Sequence, residues 1–483
     1  MPQWFVSSWP QVSTALVLVI TLLASAHAVL NKRDVRSATG WIGMIWLVPV
    51  LGALLYLLLG INRIRREAVV LRKATRRYHL APGVPPLTPT GLAGRLDSSV
   101  GHLVEQARLV EQITSRPLLP GNRVQVLVDG DEAYPAMLGV IDSARHSVSL
   151  ATYIFDNDGA GRSFIAALQR AHERGVAVRV LVDDTGARYS RPPIDRILRR
   201  SGIRVARFNP ALWPWSVRYL NLRNHRKLLI ADGRVGFTGG MNIRVGHMLT
   251  KSPRRPVHDL HFRLDGPVVA QLQEVFAEDW EFTAKESLHG ERWFPRLHAL
   301  GSSIARGIAD GPDEDFEKMR WTFLGALASA RKSIYVVTPY FLPDRTLSTA
   351  LNVAALRGVE VDIVLPKKGN IPLVEWAMWG QLAQTLEPEC RVWLVPPPFD
   401  HSKLLVVDES WVLFGSANWD QRSLRLNFEF NVECYDAALA AHLCKLLRCR
   451  IAGARLLTRD VLQRRPMLLR LRDGVARLLM PYL

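Results

Sequence analysis

His401-Ser402-Lys403, with Asp408 behind it and Gly415-Ser416-Ala417-Asn418 beyond, is the stretch whose reading decides the fold. It occurs twice. Upstream stand His225-Arg226-Lys227, Asp232 and Gly239-Gly240-Met241-Asn242. In both copies Lys follows His by two residues, Asp by seven and Asn by seventeen, and the copies lie 176 positions apart without a gap. Between Lys and Asp each copy is apolar, Leu228-Leu229-Ile230-Ala231 and Leu404-Leu405-Val406-Val407, which predicts a short buried strand. His and Lys at i and i+2 then face the same side. A single His-x-Lys is unremarkable on a protein surface. Two copies at equal spacing with the same Gly-x-x-Asn tail are a different matter, because chance does not repeat an internal spacing.

The repeat extends beyond the motif. Ser329-Ala330-Arg331-Lys332-Ser333 matches Ser143-Ala144-Arg145-His146-Ser147, and Arg357-Gly358-Val359 matches Arg174-Gly175-Val176. From Val124 the chain alternates strand-like and helix-like runs: strands at 124–128, 148–154 and 176–182, with helices at 133–144 and 163–174 between them. The order predicts a duplicated α/β fold, each sheet covered by helices, with one motif per half. Like halves invite a pseudo-two-fold arrangement that brings both motifs to one cleft.

The pattern His-x-Lys-x-x-x-x-Asp followed by Gly-Gly/Ser-x-Asn, occurring twice, resembles the phospholipase D superfamily. The text from Gly415 to Glu429 is similar to the bacterial cardiolipin synthases. Pro49, Leu54-Leu55-Tyr56, Gly60-Ile61-Asn62-Arg63 and the ending from Arg477 to Leu483 resemble the same family.

The 483 residues carry a net charge of +18, so an anionic partner is expected: nucleic acid or an acidic membrane surface. Residues 12–30 hold no charge and 41–61 are apolar and aromatic; each is long enough to cross about 30 Å of hydrocarbon. Ala24-Ser25-Ala26 also offers a signal-cleavage pattern, but no Lys or Arg precedes the apolar run. Arg63, Arg65, Arg66, Arg72, Lys73, Arg76 and Arg77 follow the second run and outnumber Lys32, Arg33 and Arg36 in the loop. The predicted topology is therefore a hairpin with both ends, and the large C-terminal part, in the cytoplasm. The resemblance places it in the bacterial inner membrane.

The expected organisation is a transmembrane hairpin over 1–66, a basic segment and proline-rich linker over 67–120, α/β halves over 121–295 and 310–452, and a basic tail over 453–483. The linker is expected to hold at most one short helix near 100–113. The tail mixes Leu with Arg and reads either as a helix packed on the second half or as a membrane-surface helix. The four Cys show no metal or disulfide spacing and read as reduced.

A phosphodiester repels nucleophiles. Cleaving it needs cations on its non-bridging oxygens, a nucleophile, and an acid for the leaving alkoxide. Two His, two Lys and two Asn supply all of these without a metal or other cofactor. One imidazole attacks phosphorus; the other protonates the leaving oxygen and then deprotonates the incoming hydroxyl. Lys227, Lys403, Asn242 and Asn418 are expected on the phosphate, with Ser416 as a further donor. The resemblance implies His225 as nucleophile and His401 as acid and base, and it implies a carboxylate acceptor behind each imidazole. Glu429, 28 residues after His401, occupies the family position, and Asp259, 34 after His225, is its counterpart. His258 stands where relatives often carry an aromatic residue, and Asn370 where they commonly carry an acid. Asp232 and Asp408 belong to the motif and are expected to pair with nearby cations. The substrates implied are anionic phospholipids, two phosphatidylglycerols giving cardiolipin and glycerol. Another phospholipase D-type hydrolase or transphosphatidylase shares the same residues. A nuclease would suit the charge alone, but the apolar spans argue against nucleic acid, and two complete motifs argue against a non-catalytic adaptor.

Overall fold

A computed structural model describes residues 3–32, 34–60, 83–210, 222–313, 315–385 and 389–480. It separates into two compact units, residues 1–67 and 68–483. The seven cations expected to fix the membrane orientation lie outside the described residues.

In the first unit a single helix runs over Gln3–Asn31. Its segment Trp9–Asn31 is the one described helix long and apolar enough to cross a membrane, and only 17% of its most apolar window is buried. The second apolar run is not one continuous span. A helix over Val35–Leu47 stops at Val48, and a new one begins with Pro49–Leu55, followed by a π turn at Tyr56–Gly60. Proline at the first helical position suits a start and ends the helix before it. The chain folds back so closely that a Cβ on Gly52 would lie 2.4 Å from the Met44 carbonyl oxygen. Thirteen residues of helix reach only about 20 Å, short of the hydrocarbon thickness. The pieces are tied by a 2.8 Å hydrogen bond between His27 Nδ1 and the Tyr56 hydroxyl, over a small core of Ala28, Ile45 and Tyr56.

Among the described residues the second unit is built on one sixteen-stranded sheet, fifteen strands in line and Arg223–Asn224 off the path against Asn427–Tyr435. At its centre Leu119–Val128 pairs antiparallel with Ser303–Asp310. On one side follow Leu260–Asp265, Val235–Gly239, Leu228–Ala231, Ser147–Thr152, Ala177–Asp183 and Arg204–Phe208. On the other follow Asn427–Tyr435, Trp411–Gly415, Leu404–Val407, Ser333–Val337, Glu360–Pro366 and Cys390–Val395, with Arg455–Leu456 at the edge. The order reads the same outward from the middle. Each half has its own apolar core beneath its helices.

The repeated sequence outside the motif is explained by what it caps. Gly175 and Gly358 take φ of +85° and +88°, ending the preceding helix in the left-handed conformation glycine favours. Arg174 donates to the Ile141 carbonyl and Arg357 to that of Ala328, each near the end of a neighbouring helix.

The proline-rich segment is more than a linker. It forms short helices at Pro89–Ala93 and Ser98–Leu103 and a longer one at Val104–Thr114. Leu92, Leu103, Ala107 and Val110 are buried in the core of the second half, although the segment precedes the first half in sequence. Cys390, Cys434 and Cys444 are buried as free thiols and Cys449 is exposed.

Candidate active site

Two short parallel pairings carry the motifs across the middle of the sheet. Arg223-Asn224 pairs with Asn427-Phe428, and the His225 N–H donates to the Phe428 carbonyl at 2.9 Å. Phe399-Asp400 pairs with Val257-His258, and the His401 N–H donates to the His258 carbonyl at 2.7 Å. The residue after Phe428 is Glu429, and the residue after His258 is Asp259. Each histidine is thereby delivered to the carboxylate of the other half.

His225 Nδ1 lies 3.0 Å from both oxygens of Glu429. His401 Nδ1 lies 2.8 Å from Oδ2 of Asp259. Reading each carboxylate by its distance from the histidine of its own half pairs them the other way; the structure exchanges them. An ionised carboxylate at Nδ1 makes that nitrogen the N–H donor and leaves the Nε2 lone pair open, whereas a protonated one donates to Nδ1 and places the imidazole N–H on Nε2. Burial, reinforced by Lys227 and Lys403, lowers the His225 pKa to about 4 against the opposing pull of Glu429. Burial and the same two lysines hold His401 well below the usual value. Both imidazoles are neutral near pH 7.

The two carboxylates differ. Burial pushes both up, but His225, Lys227 and the Ser416 hydroxyl outweigh it at Glu429, whose pKa is lowered overall. Asn427 Nδ2 donates to Glu429 as well, at 3.1 Å. At Asp259 burial prevails over Lys403 and His247, and the pKa rises to about 7. The motif tails add one difference in donors. Where the second half has Ser416, the first has Gly240, and a Cβ there would sit 2.3 Å from Asp259 Oδ1. The preceding glycines, Gly239 and Gly415, take φ near +155° because the carboxylate-bearing strand passes against them; an added Cβ would meet the Leu260 or Phe430 carbonyl within 2.6 Å.

Lys227 and Lys403 are buried, and each ammonium donates to the carbonyl of its own histidine, at 2.6 and 2.5 Å. Burial lowers their pKa to about 7 and about 8, so both titrate close to neutrality. Asn242 accepts from the Ile154 N–H through Oδ1, and Asn418 Nδ2 donates to Ser423 Oγ. The Ser416 hydroxyl accepts from the Phe430 N–H at 3.0 Å and donates to the Phe430 carbonyl at 3.3 Å, so it braces the acceptor strand beside Glu429.

Asp232 and Asp408 do not pair with side-chain cations in the expected way. Asp232 accepts the backbone N–H groups of Arg145, His146 and Ser147, and Asp408 those of Arg331, Lys332 and Ser333. These are the repeated Ser-Ala-Arg-x-Ser segments, whose amides converge because the turn before each strand leaves them unpaired. Asp408 also bonds His102 of the docked proline-rich segment, at 2.6 Å. Both aspartates stand roughly 16 Å of strand away from the lysines, at the far end of the motif. They hold the scaffold and do not reach the histidines.

Several neighbours escape a reading of the motif alone. Tyr153 packs edge-on against His225, with ring centroids 5.1 Å apart, and Tyr340 against His401 at 6.4 Å. Thr152 and Thr338 stand at like places in the two halves, 186 residues apart, and the tyrosines follow them by one and two residues, a one-residue slip that hides the correspondence. Tyr340 donates to Asn370 Oδ1 at 2.9 Å, which places the Asn370 departure beside the His401 half of the site. His247, neutral through burial with a pKa near 3, lies 6.5 Å from His401. His258 is bonded to Asp129 at 2.9 Å. Among the described residues no three His, Cys, Asp or Glu side chains converge as a metal site would require.

A duplicated α/β sheet with paired His-x-Lys motifs defines a phospholipase D-like protein. The family model described as "Cardiolipin synthase, PLD-like domain" matches residues 137–280 and 323–448, and "Phospholipase_D-nuclease N-terminal" matches 19–60. A cardiolipin synthase of Staphylococcus aureus is 30% identical over 96% of this chain and 94% of its own. The major cardiolipin synthase of Bacillus subtilis is 30% identical over 97% and 98%. A phosphatidylserine synthase structure from Haemophilus influenzae shares the fold at 15% identity, with a TM-score of 0.60 over 78% of this chain and all of that one. The chain belongs to the cardiolipin synthase family of phospholipase D-like enzymes.

Proposed function

We propose that this enzyme joins two phosphatidylglycerols into cardiolipin with release of glycerol, in one site shared by two halves related by a pseudo-two-fold axis. The observation that carries the reading is the exchange of carboxylates, since neither half holds an oriented imidazole alone. His225 Nε2 attacks the phosphorus of the first lipid, forming a P–N bond as the P–O bond to glycerol breaks; His401 gives its Nε2 proton to the leaving oxygen while the proton held by Asp259 passes to His401 Nδ1. The terminal hydroxyl of the second phosphatidylglycerol then loses its proton to His401 and attacks the phosphohistidine, restoring His225. Lys227, Lys403 and the carboxamides of Asn242 and Asn418 neutralise the phosphate oxygens. No metal takes part in this scheme, because buried cationic side chains fill that role.

A thin-layer or mass analysis of lipid from cells expressing the protein tests the reading. Cardiolipin supports it; phosphatidic acid with free glycerol would replace it with a hydrolase. Multi-pass insertion with the catalytic unit in the cytoplasm belongs to the same proposal. Charge favours it, and a second crossing would be made in bent form, since the helix breaks at Val48–Pro49. Reporters fused at each terminus decide: both cytoplasmic supports two crossings, whereas opposite sides would reduce the anchor to the first helix.

A further inference from the structure

The helix Met467–Leu478 packs one side against the helix Pro372–Thr385. The contact is close: a Cβ on Gly380 would meet the Asp473 carbonyl at 2.5 Å. Asp473 is buried and bonded by Arg465 and Arg472. Those guanidiniums also lie over Trp379 and Trp376, at 4.3 and 4.6 Å from the ring centroids, so the roll of the helix is fixed. The orientation leaves Met467, Leu468, Leu471, Val475 and Leu478 in solvent, each 55–79% exposed. At 100° per residue these five fall within an arc of about 100°, with Arg470 and Arg477 along one border and Arg472 along the other.

We propose that this stripe is a docking surface for an anionic lipid bilayer, into whose headgroup layer the tail helix sinks while the second unit remains outside. The ordering of apolar arc and flanking arginines is that of an interfacial helix. The one acid on the helix, Asp473, is buried and neutralised, so the outward side is wholly cationic. A second copy of the chain is a poor occupant, because a symmetric contact would set like arginines against one another. The supporting helix leads back to the reaction centre. The loop leading into the supporting helix exposes Lys367, Lys368 and Ile371, and its Asn370 bonds Tyr340 beside His401. A bilayer held by the tail thus lies along the element that opens on the His401 half of the site. The inference stands whichever lipid reaction the site performs.

The test uses the full chain in vesicles of phosphatidylcholine and phosphatidylglycerol. Nitroxide labels go on Leu471→Cys, Val475→Cys and, as an aqueous reference, Arg464→Cys, all with Cys449→Ser. Labels at 471 and 475 are expected to become several-fold more accessible to oxygen and less accessible to a water-soluble nickel chelate than the label at 464. Introducing Leu468→Glu with Leu471→Glu should return the 475 label to water without changing the circular dichroism. Equal nickel accessibility at all three positions, no change on the double substitution, or a short label-to-label distance between two copies would overturn the proposal.

Discussion

His225 and His401 are built from the same text and are held by the same kind of bond, yet their partners are unequal. Glu429 receives the imidazole, an Asn427 amide and the Ser416 hydroxyl, and its pKa falls. Asp259 faces Gly240, the counterpart of Ser416, and burial raises its pKa to about 7. One pair is a neutral imidazole backed by a fixed anion, suited to attack. The other can hold a proton near neutrality, suited to donate it. Duplication supplied two equivalent motifs, and the proposed division of labour follows the unequal surroundings of their acceptors, of which Gly240 against Ser416 is one difference.

The comparison can be broken most severely at the histidines. His225→Ala and His401→Ala should each reduce cardiolipin formation by about 10⁴-fold or more, with membrane insertion unchanged. Appreciable turnover in either would mean that the halves work separately. Replacing the acceptors should cost less, about 10- to 100-fold. Here the pairs should part company: a lipid with a good leaving group, which needs no protonation, should restore Asp259→Asn but not Glu429→Gln in a stopped-flow measurement of leaving-group release.

The pH profile carries the same asymmetry. The nucleophile must be unprotonated, so kcat falls as pH drops through about 4 at His225. The acid must be protonated, so kcat falls as pH rises through about 7, where Asp259 gives up the proton it shares with His401. A good leaving group should abolish the alkaline limb on kcat. KM should still rise there, because Lys227 and Lys403 lose charge above about 7 and about 8. The smallest effect is expected from Ser416→Ala, which removes one donor from Glu429. Activity should drop about three- to tenfold, and the acid limb should move to higher pH because Glu429 becomes harder to ionise.

Much of this was legible in the sequence. Equal spacing in two copies forecast the duplicated α/β sheet and named the histidines, lysines and asparagines, because a buried strand between fixed polar ends leaves little freedom in what those ends face. What sequence distance could not carry was pairing across the middle of the sheet. Glu429 follows His401 by 28 residues but bonds His225, since the register of two short parallel pairings decides the partner. The helix expected near 100–113 is present, but its docking was hidden for a related reason: Leu103, Ala107 and Val110 are buried by a half of the chain that comes far later. Asp232 and Asp408 were misread because their partners are backbone amides, which no residue type announces. The fold at Val48 turns on Pro49 within a run whose composition alone suits a span.

The division of roles has one direct measurement. His401→Ala enzyme is mixed with a phosphatidyl substrate that carries a good leaving group and a labelled acyl chain, then quenched and mapped by mass spectrometry. With no base to activate the second hydroxyl, the intermediate should accumulate as an acid-labile, alkali-stable adduct on His225. Label trapped instead on His401 in the His225→Ala enzyme, with none on His225 in its counterpart, would contradict the assignment.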